Sequence, residues 1–203
     1  MAMTPPSCWP NRNIPVALDA SAVINLNATG QAAEILRAIR HEVIVVDEVA
    51  YDLKKGIASG RRDADRLDEL IATGLIRRAA LGEPGKSFFE WLSIGTGLDT
   101  LDDGEAATIA LAAELACAAM VDERKGRRLC RFRHPSDPLL GSIDIFVQVN
   151  VQRQLGERLA DALFGALTNA RMHVLPEYHD WVISTLGPQR AALCTSLPRA
   201  KRE

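Results

Sequence analysis

The chain has 203 residues, 47% hydrophobic and 25% charged, which excludes a disordered chain and leaves ample material for one core. A net charge of −2 excludes nucleic-acid binding through general basicity, so contact with a polynucleotide has to come from a local patch. No run approaches the roughly 18 to 20 apolar residues that span a bilayer, and Cys8, Cys117, Cys130 and Cys194 lack the spacing of a zinc site or a disulfide framework, so the expected address is cytoplasmic.

Residues 1–13, "MAMTPPSCWPNRN", have no basic region followed by an apolar core and read as a loose leader. Val16, Ala17 and Leu18 suit a buried central strand with Asp19 at its carboxyl end, followed by a helix from Ala20 or Ser21 and a second in "GQAAEILRAIR". Val43 to Val46 repeats the plan, with Asp47 as N-cap of a helix ending at Gly56. "SGRRDADRLDELIATG" is an amphipathic helix with Leu67, Leu70 and Ile71 on one side, and "LIRRAAL" a short strand. "FFEWLSIGTGLDTLDD" is a helix then a loop, leading to an Ala-rich helix from Gly104 to Leu115 and a strand in "CAAMVDE". "RKGRRLCRFR" is a local basic strip that can hold a phosphate backbone or else simply a solvated loop, and "RAKRE" closes the chain on more cations. "SIDIFVQVNVQRQLG" reads as one helix with Ile143, Phe146 and Val147 on a shared face. In the tail, Leu155, Leu159, Leu163 and Leu167 keep helical spacing; a strand is expected over Met172 to Leu175 and a last helix over Glu177 to Leu186. Alternating strands and helices predict a parallel sheet covered on both faces.

On this map the acids converge. Asp19 and Asp122 end strands, Asp52 lies within a helix one turn after Glu48, and Glu105 opens the Ala-rich helix behind Asp102 and Asp103. The carboxyl ends of parallel strands and the starts of the following helices share one edge of the sheet, where ligands bind. Crowded carboxylates repel, so the expected site is a cage for hard cations; oxygen ligands without Cys or His point to Mg²⁺ or Mn²⁺. Taken singly, Asp102, Asp103 and Glu105 also suit the positive end of a helix, and Asp47 suits a cap. Asp19 is harder to explain so, because an acid ending a buried strand is unfavourable unless paired or coordinated.

Four segments in order, "LDASAVINL", "VVDEVAYDL", "LDDGEAATIALA" and "VDERKGRRLC", resemble the PIN-domain nucleases over roughly Pro15 to Val149. The third is similar to the "GE…AI.LA" helix start and the fourth to the "DD..GR" strand end of a prokaryotic branch containing toxin-type ribonucleases. The resemblance implies a PIN-like, Rossmann-like three-layer α/β sandwich with a mainly parallel sheet over residues 14–150. Residues 151–203 would be a mostly helical C-terminal extension, packed on that domain or used in oligomerisation, including a homodimer. It also implies Mg²⁺- or Mn²⁺-dependent endoribonuclease activity, as the toxin of a toxin–antitoxin pair, with RNA and an antitoxin protein as partners and no membrane.

Carried over by position, Asp19, Asp52, Glu105 and Asp122 are the candidate catalytic and metal-binding acids, with Glu123 in support. Asp52 stands where the family usually has Glu, and Glu48 is the substitute. Ser21 is the hydroxyl that follows the first acid, Ser142 a hydroxyl near the metals, and Asp144 a further carboxylate. Arg124, Lys125, Arg127 and Arg128 are the expected phosphate contacts. Two ions held by Asp19, Glu105 and Asp122 would activate water for in-line attack on a phosphodiester, without a covalent intermediate. The alternative is a catalytically weak or inactive PIN-like module acting in a protein or RNA complex. A haloacid-dehalogenase-type phosphatase would need an acid where Ser21 stands, and a receiver domain would need its acidic pair on the first strand.

Overall fold

The computed structural model describes residues 9–10, 13–93, 101–133 and 138–198. β1 (Val16–Leu18) leads into α1 (Ala20–Ala28) and α2 (Ala32–Ala38). β2 (Val43–Val46) follows, then α3 (Asp47–Lys55), α4 (Asp63–Ala72), β3 (Arg77–Ala79), α5 (Glu83–Ser93) and α6 (Asp103–Leu115). β4 (Ala118–Met120), α7 (Arg124–Arg133) and β5 (Leu139–Leu140) complete the sheet. Helices α8 (Ile143–Val147), α9 (Val149–Leu155), α10 (Leu159–Asn169), α11 (His179–Leu186) and α12 (Pro188–Ala191) close the described chain.

All strand pairs are parallel, in the order β3-β2-β1-β4-β5. Chain direction across the sheet therefore reverses between β1 and β4, which lie side by side with Leu18 opposite Met120. That reversal opens the crevice beyond the carboxyl ends of the two strands where doubly wound sheets bind ligands. β1, β2 and β4 are wholly buried apolar runs, as strands covered on both faces must be. Edge strand β3 is charged, with Arg77 paired to Glu42 and Arg78 to Asp47 at 2.5 Å, and so resists pairing with another sheet.

α6 crosses β1, β2 and β4 and is also covered by α3 and α5. Residues Gly104 to Ala112 are all buried, which explains the Ala-rich composition, since small side chains let a helix be approached from every side. Its buried Thr108 hydroxyl is satisfied by Gly104 O at 2.7 Å. α1 packs against α2, α4 and α10, and α2 against α9. α10 comes so close to α1 that a Cβ on Gly165 would lie 2.6 Å from Ala28 O. Leu163, Leu167, Tyr178 and Val182 belong to the same buried cluster as the strands. Of the leader, Trp9 is buried with its ring edge-on to His41. No helix among the described residues is long and apolar enough to cross a membrane.

The structure departs from the sequence expectations in several places. The basic run is a helix, α7, and not a loop. The helix expected from Ser142 breaks at Gln148, whose ψ of 123° is extended, and Gln152 Nε2 bonds Phe146 O across the break. Leu155 and Leu159 fall on different helices. Met172 to Leu175 form no strand, while the Leu139–Leu140 strand was not anticipated. Asp47 begins α3 without capping it, because its side chain turns to Arg78. The loop over residues 94–100 and the closing "RAKRE" lie outside the described residues.

Candidate metal and phosphodiester cleft

Asp19 follows β1 directly and is 3% exposed. It caps α1, accepting from the Ala22 amide at 2.6 Å, and Ser21 Oγ bonds the same carboxylate at 2.8 Å. Burial, followed by the negative charge of Asp122 on the neighbouring strand, pushes the Asp19 carboxyl from 3.8 to about 7. Glu105 enters the same cleft from the first turn of α6. Burial, followed by the charges of Glu123, Asp19 and Asp102, raises it from 4.5 to about 8. Its Oε1 is buried without a hydrogen-bond partner among the described residues. Asp19, Ser21, Asp52, Lys55, Asp102, Asp103, Glu105 and Glu123 line this opening of about 460 Å³.

Gly126 on α7 makes room for Glu105. A Cβ there would lie 2.0 Å from Glu105 Oε1, so the glycine of "ERKGRR" is required by the carboxylate that packs on it. The next residue, Arg127, expected on a phosphate, is instead 7% exposed. Its guanidinium donates to Val121 O at 2.9 Å and Leu140 O at 2.8 Å, tying the ends of β4 and β5 together. Leu140 O also accepts from the Val121 amide at 3.0 Å, whereas Val121 O takes its hydrogen bond from the arginine, which is why this side chain turns inward.

Asp122 sits beside Asp19 but faces away from the cleft. It accepts from the Ser142 amide at 2.7 Å, Ser142 Oγ at 2.5 Å and Asn25 Nδ2 at 2.7 Å. Burial still outweighs these donors and raises its carboxyl. Ser142 is fully buried behind Asp122, and neither it nor Asp144 lines the cleft. Asp144 accepts from the Gly141 amide at 2.8 Å and the Tyr178 hydroxyl at 2.5 Å, and its carboxyl is raised by burial. Asp52 lines the cleft but is engaged: Oδ2 accepts the Gly104 amide at 2.9 Å, capping α6 from a distance, and Oδ1 pairs with Lys55 at 2.5 Å. Glu48 lines an adjoining cavity that shares Asp52 and Asp103 with the cleft, and its Oε2 is buried without a hydrogen-bond partner among the described residues.

The expected cage of four acids is therefore not formed. Among the described residues no three His, Cys, Asp or Glu side chains converge as a metal site. Among the described residues, Asp19 and Glu105 are the buried carboxylates lining the cleft, with Glu123 on its rim. Mg²⁺ keeps several waters and is commonly held by one or two carboxylates, so this pair fits such an ion. Both carboxyls are pushed toward neutral pH, and Glu105 Oε1 is buried without a hydrogen-bond partner among the described residues, so a hard cation could neutralise the pair and satisfy that oxygen.

Sequence reasoning missed Asn25, Gly126, Lys55 and Tyr178. The "GR" of the fourth segment was a signal for Gly126, whereas Asn25, buried on α1, had none. The family model DUF3368, a PIN domain, matches residues 15–188, and the chain belongs to that family. Neither a curated protein nor a solved structure matches it.

Proposed function

We propose that this PIN domain is a metal-dependent ribonuclease that hydrolyses phosphodiester bonds of RNA. PIN domains are in general nucleases that use divalent metal ions, and that supports a nuclease-type activity here. The observation that carries the finer reading is the unsatisfied Glu105 oxygen beside Asp19 at the crevice between β1 and β4.

Asp19 and Glu105 would hold Mg²⁺ or Mn²⁺, which when bound supplies Lewis-acid polarisation and a water of lowered pKa. The protein fixes both carboxylates before substrate arrives. Asp19 is locked by the Ala22 amide and Ser21, and Glu105 by its seat on Gly126. Asp122, held by Asn25 and Ser142, adds negative charge behind Asp19 without entering the cleft. That charge strengthens the attraction of the pair for a cation. Lys55 on one wall, and Arg124 and Lys125 at the start of α7, can carry phosphate charge. The toxin role and an antitoxin partner belong to the same reading.

Cleavage of a labelled single-stranded RNA tests it, with Mg²⁺ or Mn²⁺ against EDTA, comparing the wild type with Asp19→Asn. Cutting that needs the metal and disappears in the variant, with its fold intact by circular dichroism, is the expected result. Cutting that survives EDTA or Asp19→Asn would overturn it. A second reading, a module that binds RNA without cutting it, is favoured by the diversion of Asp52 and Asp122 into structural hydrogen bonds. Metal-dependent RNA binding without cleavage would establish that one.

A further inference from the structure

Arg171 stands just beyond α10 with a φ of +56°, in the left-handed region that strongly favours glycine after a helix. The turn itself is an ordinary helix ending, with the Met172 amide donating back to Ala166 O at 3.1 Å. The chain nevertheless keeps an exposed arginine there, with no hydrogen bond or ion pair among the described residues. Strain retained at an unpartnered cation suggests a partner outside the chain.

The surroundings indicate its chemistry. Arg171 lines a depression of about 320 Å³ with Arg124 as a second cation and His173 beside it. The floor is Asn25 and Asp122, and Asp122 is already bonded to Asn25 and Ser142, leaving Glu123 as the opposing accessible charge. The depression shares Ser21 and Glu123 with the acid cleft. It shares Arg124 with a cavity of about 690 Å³ along α7, lined by Arg124, Lys125, Arg128 and Arg131. Residues 124, 128 and 131 fall on one face of the helix. The three openings thus form one course from the acids to a row of cations, and its middle is bordered by α7 on one side and the segment after α10 on the other. A row of cations spaced along a groove matches a repeating anion better than a single small one.

We propose that Arg171, across the depression from Arg124, grips a backbone phosphate of an RNA strand next to the phosphate presented to Asp19 and Glu105. This rests on the ribonuclease reading, and it makes the segment after α10 a wall of the RNA course.

The test is binding of a short fluorescein-labelled single-stranded RNA in EDTA, followed by anisotropy across a salt series, for the wild type, Arg171→Gly and Arg171→Lys. Glycine relieves the left-handed strain, so Arg171→Gly keeps its melting temperature or gains about 2 °C. Loss of one phosphate contact lowers the slope of log K against log salt by about 0.7 and weakens binding about fivefold near 0.1 M salt. Arg171→Lys keeps the wild-type slope. Wild-type affinity and slope in Arg171→Gly would overturn the proposal and leave the ribonuclease reading standing. A fall in both stability and affinity would make Arg171 structural and also overturn it. A folded wild type that binds no RNA in EDTA would overturn the proposal and leave the ribonuclease reading to the cleavage assay.

Discussion

Replacing Glu105 by Gln should stabilise the metal-free protein above pH 8 and remove much of its sensitivity to Mg²⁺. The carboxyl is raised from 4.5 to about 8, so the folded protein holds its proton more tightly than the unfolded chain does. Stability from this group is then fully present below about pH 4.5, declines as the pH rises, and is lost above about pH 8. At about 1.4 kcal/mol per pKa unit the full penalty approaches roughly 4–5 kcal/mol; water penetration and relaxation around a buried charge reduce it to about 2 kcal/mol. For a chain of this size that is about 4–8 °C in melting temperature. Thermal unfolding by circular dichroism, in EDTA from about pH 5 to pH 9, should show the gap between Glu105→Gln and wild type opening across the window from 4.5 to 8. Asp19, raised from 3.8 to about 7, adds its own decline at lower pH in both proteins. Added Mg²⁺ at pH 8 should raise the wild-type melting temperature and barely move the variant, because ligand binding stabilises only the form that binds. A variant no more stable than the wild type above pH 8, or one that gains as much from Mg²⁺, would refute the assignment of strain and metal affinity to this carboxylate.

Other consequences follow from the same geometry. Gly126→Ala brings a Cβ to 2.0 Å from Glu105 Oε1 and should displace the carboxylate, reducing kcat/KM for RNA about a hundredfold while circular dichroism still reports a folded chain. Arg127→Met leaves Val121 O without its donor in the core and takes one of two donors from Leu140 O; a loss of about 2 kcal/mol in urea unfolding is expected. Its RNA-binding salt slope should stay that of the wild type. Tyr178→Phe removes the hydroxyl from Asp144 and should cost about 1–2 kcal/mol, measured the same way.

Much of the framework is local and therefore legible in the chain. The apolar runs at β1, β2 and β4 declare buried parallel strands, and the acids at their ends mark the functional edge. The Ala-rich stretch declares a helix packed from several sides, and Asp19 and Glu105 were both identified as its neighbouring acids. The sequence by itself thus determined the alternation, the parallel sheet and two of the carboxylates that line one cleft. What it could not determine was which way the remaining polar groups turn, because that depends on donors brought near only by folding. Asp122 is withdrawn by Asn25, 97 residues away, and by Ser142, 20 away; Asp52 is drawn to the Gly104 amide, 52 away. Arg127 turns inward because β4 and β5 end side by side and bring the Val121 and Leu140 carbonyls within reach of one guanidinium. The tail shows its helices but no chemistry for the same reason: Tyr178 and Arg171 acquire their positions only when α10 docks on α1 at Gly165. Periodicity and propensity act within a few residues, whereas a buried polar group goes to whichever partner the tertiary fold places within about 3 Å, and that partner decides its role.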